Sequence, residues 1–296
     1  MHLVIAGSSG FLGSHLVTHL EARGHEVSRL VRREPTSPSE SRWDPYAGTL
    51  DRTLVRQADV VVNLAGAPTA GNPHSKKWAR ELRNSRVVTT RVLADTIAGG
   101  TGKPTLVAGN AIGWYGDHRD REVTESTASV GDSFMTEVCR EWQAATEPAA
   151  EHGSRVIVLR TSPVIDRAAP PLKQMLLPWR LGLGARLGDG SQFFPIVSLR
   201  DWLAAVTFLA ESELPAGPYN VSCPIAPTNR EFTQALASAV GRKARLAAPA
   251  TVLRTLAGRL APEVLGSTRV RPMALQDAGF EFRDHDAIDV IAAALS

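Results

Sequence analysis

The chain has only two cysteines, Cys139 and Cys223, in 296 residues. That is too few for a disulfide framework, and they have no zinc-ligand spacing, so a reducing compartment, the cytoplasm, is expected. Charge of one sign is also lacking. The formal net charge is only +3, which over this length leaves no electrostatic footprint for a nucleic-acid partner. Long apolar runs are absent as well. Stretches such as Val60 to Val62 and Val156 to Leu159 fall far short of the ~20 residues that cross a bilayer, so no membrane partner is expected. The start at Met1-His2 shows neither a cationic leader nor a cleavage pattern. Without internal repeats or low-complexity tracts, solenoids and propellers are disfavoured. What is plentiful is ordinary core material: hydrophobic residues make up 43% and charged residues 21%, enough to offset chain entropy in one large α/β unit or two joined domains.

The pattern along the chain alternates strand and helix. Leu3 to Ala6 is a short apolar run that stops at glycine, as a central parallel strand does. Leu12, Leu16 and Leu20 then recur every four residues, with Gly24 closing the segment. Further strands are expected at Glu26 to Val31, Asp59 to Leu64, Thr105 to Ala108 and Arg155 to Leu159, with helices over Lys76 to Ile97 and around Phe134 to His152. This rhythm predicts an α/β fold, a Rossmann-type doubly wound parallel sheet. Beyond Thr161, prolines and glycines cluster at Pro170-Pro171, Pro178 and Gly182 to Gly190, then come a helix near Asp201 to Ala210, a strand at Pro218 to Ser222 and a helix over Thr228 to Val240 capped by Thr228 or Asn229. The expected division is a cofactor-binding domain over 1–167 and a smaller C-terminal substrate-side region over 168–296, partly interleaved with the first, whose tail from Pro249 is helical.

Between the first strand and helix lies Gly7-Ser8-Ser9-Gly10-Phe11-Leu12-Gly13. In that position a G-x-x-G-x-x-G loop supplies a tight turn, close backbone approach to a pyrophosphate, and free amides at a helix N-terminus. The residue that selects between NAD and NADP sits ~20 residues further on, at the end of the second strand. Here that place holds Arg32, then Arg33, with Glu34 past the strand end. A guanidinium can clasp a 2′-phosphate, so NADP(H) is the expected cofactor; the competing reading is two arginines solvating a loop. Other motifs fail. Gly100-Thr101-Gly102-Lys103-Pro104 lacks the first glycine and the hydroxyl of a phosphate loop, and His15 and His19 lack the glutamate of H-E-x-x-H, so no metal is expected. No G-x-S-x-G elbow occurs.

The glycine loop, the turn Asn63-Leu64-Ala65-Gly66, the run Ala111-Ile112-Gly113-Trp114-Tyr115-Gly116 and Leu177 to Gly184 together resemble an atypical extended short-chain dehydrogenase/reductase. More narrowly they resemble NAD-dependent epimerase/dehydratase-like proteins with a DUF1731 C-terminal segment, the sugar nucleotide epimerase or SulA-type group. The ending Arg269-Val270, Pro272 and Ala278 to Phe282 is similar to that segment. The resemblance covers essentially the whole chain. It implies a Rossmann sheet with a nicotinamide cofactor, contacts from Asn63, Leu64, Ala65 and Gly66 to adenosine and ribose, and Arg86 of the Ser85-Arg86 pair drawn toward the cofactor. An exposed helix arginine is the alternative for Arg86.

The match departs at the catalytic part. The usual Tyr-x-x-x-Lys is missing, its positions holding Met135 and Cys139, and Ala108-Gly109-Asn110 stands where many relatives have Ser-Ala-Ser. Asn110 donates a hydrogen bond but cannot shuttle a proton, and Tyr115 is the nearest candidate hydroxyl, or else an aromatic wall of the pocket. Near Gly182 to Phe194, Gln192 could bond a polar group of a nucleotide-sugar and Arg180 or Arg186 could meet its phosphate, unless this is only a glycine-rich surface loop; Asp201 suits a helix N-cap. The expected function is an NADP(H)-dependent oxidoreductase or epimerase-like enzyme acting on a small carbonyl or hydroxyl compound or nucleotide-sugar. The alternative is a non-catalytic NADP(H)-binding redox-sensing regulator. A homodimer is a common arrangement for such folds.

Overall fold

A computed structural model describes residues 1–296 apart from the side chains of Pro171 and Gln174. The first strands and helices follow in chain order: β1 (His2–Ala6), α1 (Phe11–Ala22), β2 (Glu26–Val31), β3 (Glu40–Arg42), α2 (Arg52–Gln57), β4 (Val60–Asn63), α3 (Lys76–Ala98) and β5 (Thr105–Ala111). They are followed by α4 (Phe134–Ala144), α5 (Glu147–Glu151), the strand Val156–Thr161, α6 (Pro170–Arg180), α7 (Leu199–Glu211), the strand Gly217–Val221 and α8 (Asn229–Ala239). Seven strands form one sheet in the order Gly217–Val221, Val156–Thr161, β5, β4, β1, β2, β3. β1 pairs in parallel with both β2 and β4, as do β2 with β3 and β4 with β5. The order reverses between β1 and β4, which is where doubly wound sheets open a ligand crevice beyond the strands' carboxyl ends.

The chain divides into two compact units. The first comprises Met1–Asn110, Val138–Leu159 and Val206–Pro218; the second comprises Ala111–Glu137, Arg160–Ala205 and Tyr219–Ser296. In the first, Leu3, Val4, Ile5 and Ala6 of β1 are wholly buried, as an all-apolar strand covered on both faces requires. Val4, Val61 and Leu106 of neighbouring strands pack with Leu93 and Ile97 of α3 and Ala149 of α5. In the second, Phe232 and Leu236 of α8 meet Val290 and Ile291 of the C-terminal helix Ala287–Leu295. No helix among the described residues is long and apolar enough to cross a membrane.

Several elements differ from the sequence-based expectation. β3 and α2 were not expected: β3 is an edge strand of polar residues, Glu-Ser-Arg, with no apolar signal. The helix expected around Phe134 to His152 is two, because Pro148 has no amide hydrogen and fits only the opening turn of α5. Pro170 likewise starts α6 where only a loose boundary was expected. Asp201 is not an N-cap. It lies in the first turn of α7, and its carboxylate accepts the amides of Arg283 and Asp284 instead. Thr228 is the cap of α8, completing a capping box with Glu231.

Candidate functional site

The first unit brings the glycine loop against the turn after β4. Gly7 has φ +82°, and a Cβ there would lie 2.5 Å from the Leu64 carbonyl carbon; one on Gly13 would lie 2.1 Å from the Gly7 oxygen. Only glycine allows both approaches. Gly10 precedes α1 with extended backbone and no side-chain cap, and the first turn holds no acidic residue. The amides of Phe11, Leu12 and Gly13 are therefore offered to an external acceptor, in the positive field of a helix N-terminus. Ser8 is buried, whereas Ser9 and Gly10 are exposed. A tight turn that closes only on glycine at Gly7 and Gly13 and ends on uncapped amides fits a pyrophosphate.

The turn after β4 is held from below. Asn63 is wholly buried; its Nδ2 donates to Thr90 Oγ1 at 2.8 Å and its Oδ1 accepts the Ala65 amide at 3.1 Å. Trp142 Nε1 donates to the same Thr90 oxygen at 2.9 Å. Ser85 Oγ accepts the Ala67 amide at 2.8 Å, so the Ser85-Arg86 pair secures the far end of the turn. Arg86 donates to the Ala67 and Leu82 oxygens and lies 5.3 Å from the Trp142 ring centroid. A Cβ on Gly66 would sit 3.5 Å from its guanidinium carbon. Burial pulls the Arg86 guanidinium below its ordinary pKa, a desolvation that an incoming anion relieves.

At the end of β2 the two arginines separate. Arg33 donates to both Glu40 oxygens, at 2.8 and 2.6 Å. That bidentate bond, with the Thr36 amide, lowers the Glu40 carboxyl to about 2. Glu34 is held by Arg42. Arg32 is exposed and makes no hydrogen bond or ion pair among the described residues. Of the charged groups at this strand end, Arg32 is the one left to meet a ligand.

The two catalytic candidates fall in different units, Asn110 in the first and Tyr115 in the second. Asn110 is 4% exposed and donates through Nδ2 to the Cys139 carbonyl at 3.0 Å. Tyr115 is wholly buried; its hydroxyl donates to Asn220 Oδ1 at 2.7 Å and accepts from Arg160 at 3.0 Å. Burial pushes its pKa up, so it stays protonated. Met135 and Cys139 are buried apolar contacts. Gln192 donates to the Leu187 and Val264 oxygens.

Sequence reasoning missed Arg160, which is 2% exposed, lies 3.5 Å over the Trp114 ring and donates to Tyr115 and the Glu125 carbonyl. Its signal was legible: an arginine directly after the apolar run Val156 to Leu159. Thr90 and Trp142 were missed because their roles depend on partners distant in sequence, and Glu40 because its bond to Arg33 forms only once the intervening loop folds.

Comparison with known proteins finds related chains and folds. The model of the NAD dependent epimerase/dehydratase family matches residues 3–222, and a domain of unknown function, DUF1731, matches residues 248–294. An epimerase family protein of Mycobacterium tuberculosis is 39% identical over 97% of this chain and 94% of its own length. The crystal structure of human epimerase family protein SDR39U1 with NADPH is 28% identical and superposes with a TM-score of 0.89, covering 99% of both chains. A nucleoside-diphosphate sugar epimerase from Corynebacterium glutamicum is 32% identical with a TM-score of 0.79, over 100% of this chain and 58% of that one.

Proposed function

Because the chain belongs to the NAD dependent epimerase/dehydratase family, we propose that it binds NADP(H) and acts as an oxidoreductase or epimerase-like enzyme on a small carbonyl or hydroxyl compound or a nucleotide-sugar. Residues 1–167 hold the cofactor and residues 168–296 form the substrate side. The observation that carries this reading is Arg32: exposed and without an ion pair among the described residues at the end of β2, beside an Arg33 already locked to Glu40. A human relative solved with NADPH supports it.

In this reading the amides of Gly7 to Gly13 receive the pyrophosphate and Arg32 the 2′-phosphate. Arg33 is a positioning residue that fixes the loop through Glu40. Asn63 to Gly66 pass the adenosine side, and Arg86 faces the cofactor across Gly66. The bound cofactor supplies hydride exchange at its nicotinamide. Asn110 steadies a substrate oxygen by donating a hydrogen bond. Tyr115 is the second candidate, and its hydroxyl must leave Asn220 or Arg160 to reach a substrate.

The non-catalytic redox-sensing reading is favoured by one observation: the Tyr-x-x-x-Lys positions hold buried Met135 and Cys139. Incubating the protein with NADPH and a panel of carbonyl compounds and nucleotide-sugars separates the two. Steady NADPH consumption that Asn110→Ala depresses supports the enzyme; saturable NADPH binding with no turnover on any compound supports the regulator.

A further inference from the structure

The second unit carries a polar cavity that the cofactor reading does not use. It has a volume of about 200 Å³ and is lined by Arg186, Arg230, Thr233, Gln234 and Ala244. Arg186 is the middle residue of the short strand Ala185–Leu187, which pairs in parallel with Leu246–Ala248. The strand is fixed to the start of α8: the Leu187 amide donates to the buried Asn229 Oδ1 at 2.8 Å, and the Asn229 amide donates to the Gln192 carbonyl at 2.8 Å. Arg230, one residue on, is tethered by its amide to the Gly190 carbonyl and by its guanidinium to the Asp189 carbonyl. Both cations are therefore presented by a rigid frame. Gly190 leaves the room between them, since a Cβ there would lie 3.1 Å from Arg230 Cβ and 3.3 Å from Arg186 Cδ.

Arg186 is short of hydrogen-bond acceptors: its charge acts on the Asp189 carboxyl, which the Ser191 amide and hydroxyl, Arg230 and Arg186 together hold below its usual pKa, but no bond joins the two side chains. Its Nε is buried with no hydrogen-bond partner, and it makes no ion pair among the described residues. Buried donors without acceptors are rare in native proteins. The nearby carboxylates are already engaged: Asp189 Oδ1 accepts the amide and hydroxyl of Ser191, and Glu231 is bound in the capping box at Thr228. The adjoining segment adds Arg242, Lys243 and Arg245 on either side of Ala244, so positive charge prevails.

We propose that this cavity is a phosphate-binding site, in which Arg186 and Arg230 clasp a phosphate dianion carrying a small organic group. Guanidinium forks match phosphate oxygens in pairs, and the cavity holds an anion of that size. The site lies wholly within the second unit, goes beyond the cofactor reading, and stands whether or not NADP(H) binds at Arg32.

The test is calorimetric titration of the full chain with inorganic phosphate, using chloride at matched ionic strength as the control. Wild-type protein is expected to bind phosphate. Arg186→Gln should weaken binding about ten- to a hundredfold, the loss of charge-assisted bonds, while leaving NADPH affinity unchanged. Arg32→Gln should do the reverse. Arg186→Lys, which keeps the charge and loses the fork, should fall between wild type and Arg186→Gln, and it serves should the glutamine variant fail to fold. Uridine diphosphate distinguishes the sources: competition with phosphate assigns the site to a nucleotide ligand, and simultaneous binding assigns it to a separate small phosphate ester. No heat with wild-type protein, or equal affinity in wild type and both Arg186 variants, overturns the proposal.

Discussion

The glycine loop of the first unit and the Arg160 cluster of the second solve opposite problems with polar groups. At Gly7, Gly10 and Gly13 no side chain intrudes and the helix amides have no side-chain cap, so hydrogen-bonding capacity is held in reserve. Around Arg160, the Tyr115 hydroxyl, Asn220 and the Glu125 carbonyl engage one another within a buried site. A binding surface keeps its donors open, and a structural network turns most of them inward. The same contrast recurs on a smaller scale at β2, between open Arg32 and closed Arg33.

The sharpest way to break the comparison is Gly13→Ala, whose Cβ would fall 2.1 Å from the Gly7 oxygen. NADPH affinity should drop by at least about a hundredfold, the worth of several charge-assisted bonds at ~1.5–3 kcal/mol each, with circular dichroism confirming a folded chain; unaltered affinity would remove the loop from the site. Next comes Arg32→Gln, for which the ratio of NADH to NADPH dissociation constants should fall about ten- to a hundredfold by the same bond energy. Arg33→Gln should move that ratio less, and the reverse ranking would exchange their roles.

In the inward-turned network, Tyr115→Phe leaves the Asn220 Oδ1 without its donor and removes one acceptor of Arg160, and should cost about 1–3 kcal/mol in urea unfolding. Cofactor affinity should not move. Should turnover collapse without any loss of stability, Tyr115 belongs to the chemistry instead. The smallest effect concerns Glu40. Its folded carboxyl lies below the ordinary 4.5, at about 2, so the bond to Arg33 contributes fully above 4.5 and is lost as pH falls through about 2. Carbon NMR of the Glu40 carboxyl should titrate near 2, and a midpoint near 4.5 would mean the pair does not form.

The cofactor side was largely legible in sequence because its signals are local: a buried strand, three spaced glycines and a helix repeat occupy one short stretch. β3 was invisible, since a polar edge strand carries no periodic signal, and the difference between Arg32 and Arg33 depends on Glu40, brought near only by folding. Asp201 read as a helix cap because its partners, the amides of Arg283 and Asp284, come from the far end of the chain. Tyr115 read as an available hydroxyl for the same reason: nothing local announces Asn220.

Calorimetric titration of the wild-type chain with NADPH and NADH, side by side, tests the central claim that Arg32 is held open for a 2′-phosphate. NADPH should bind about ten- to a hundredfold more tightly, as one guanidinium–phosphate contact provides. Equal affinities for the two would contradict it.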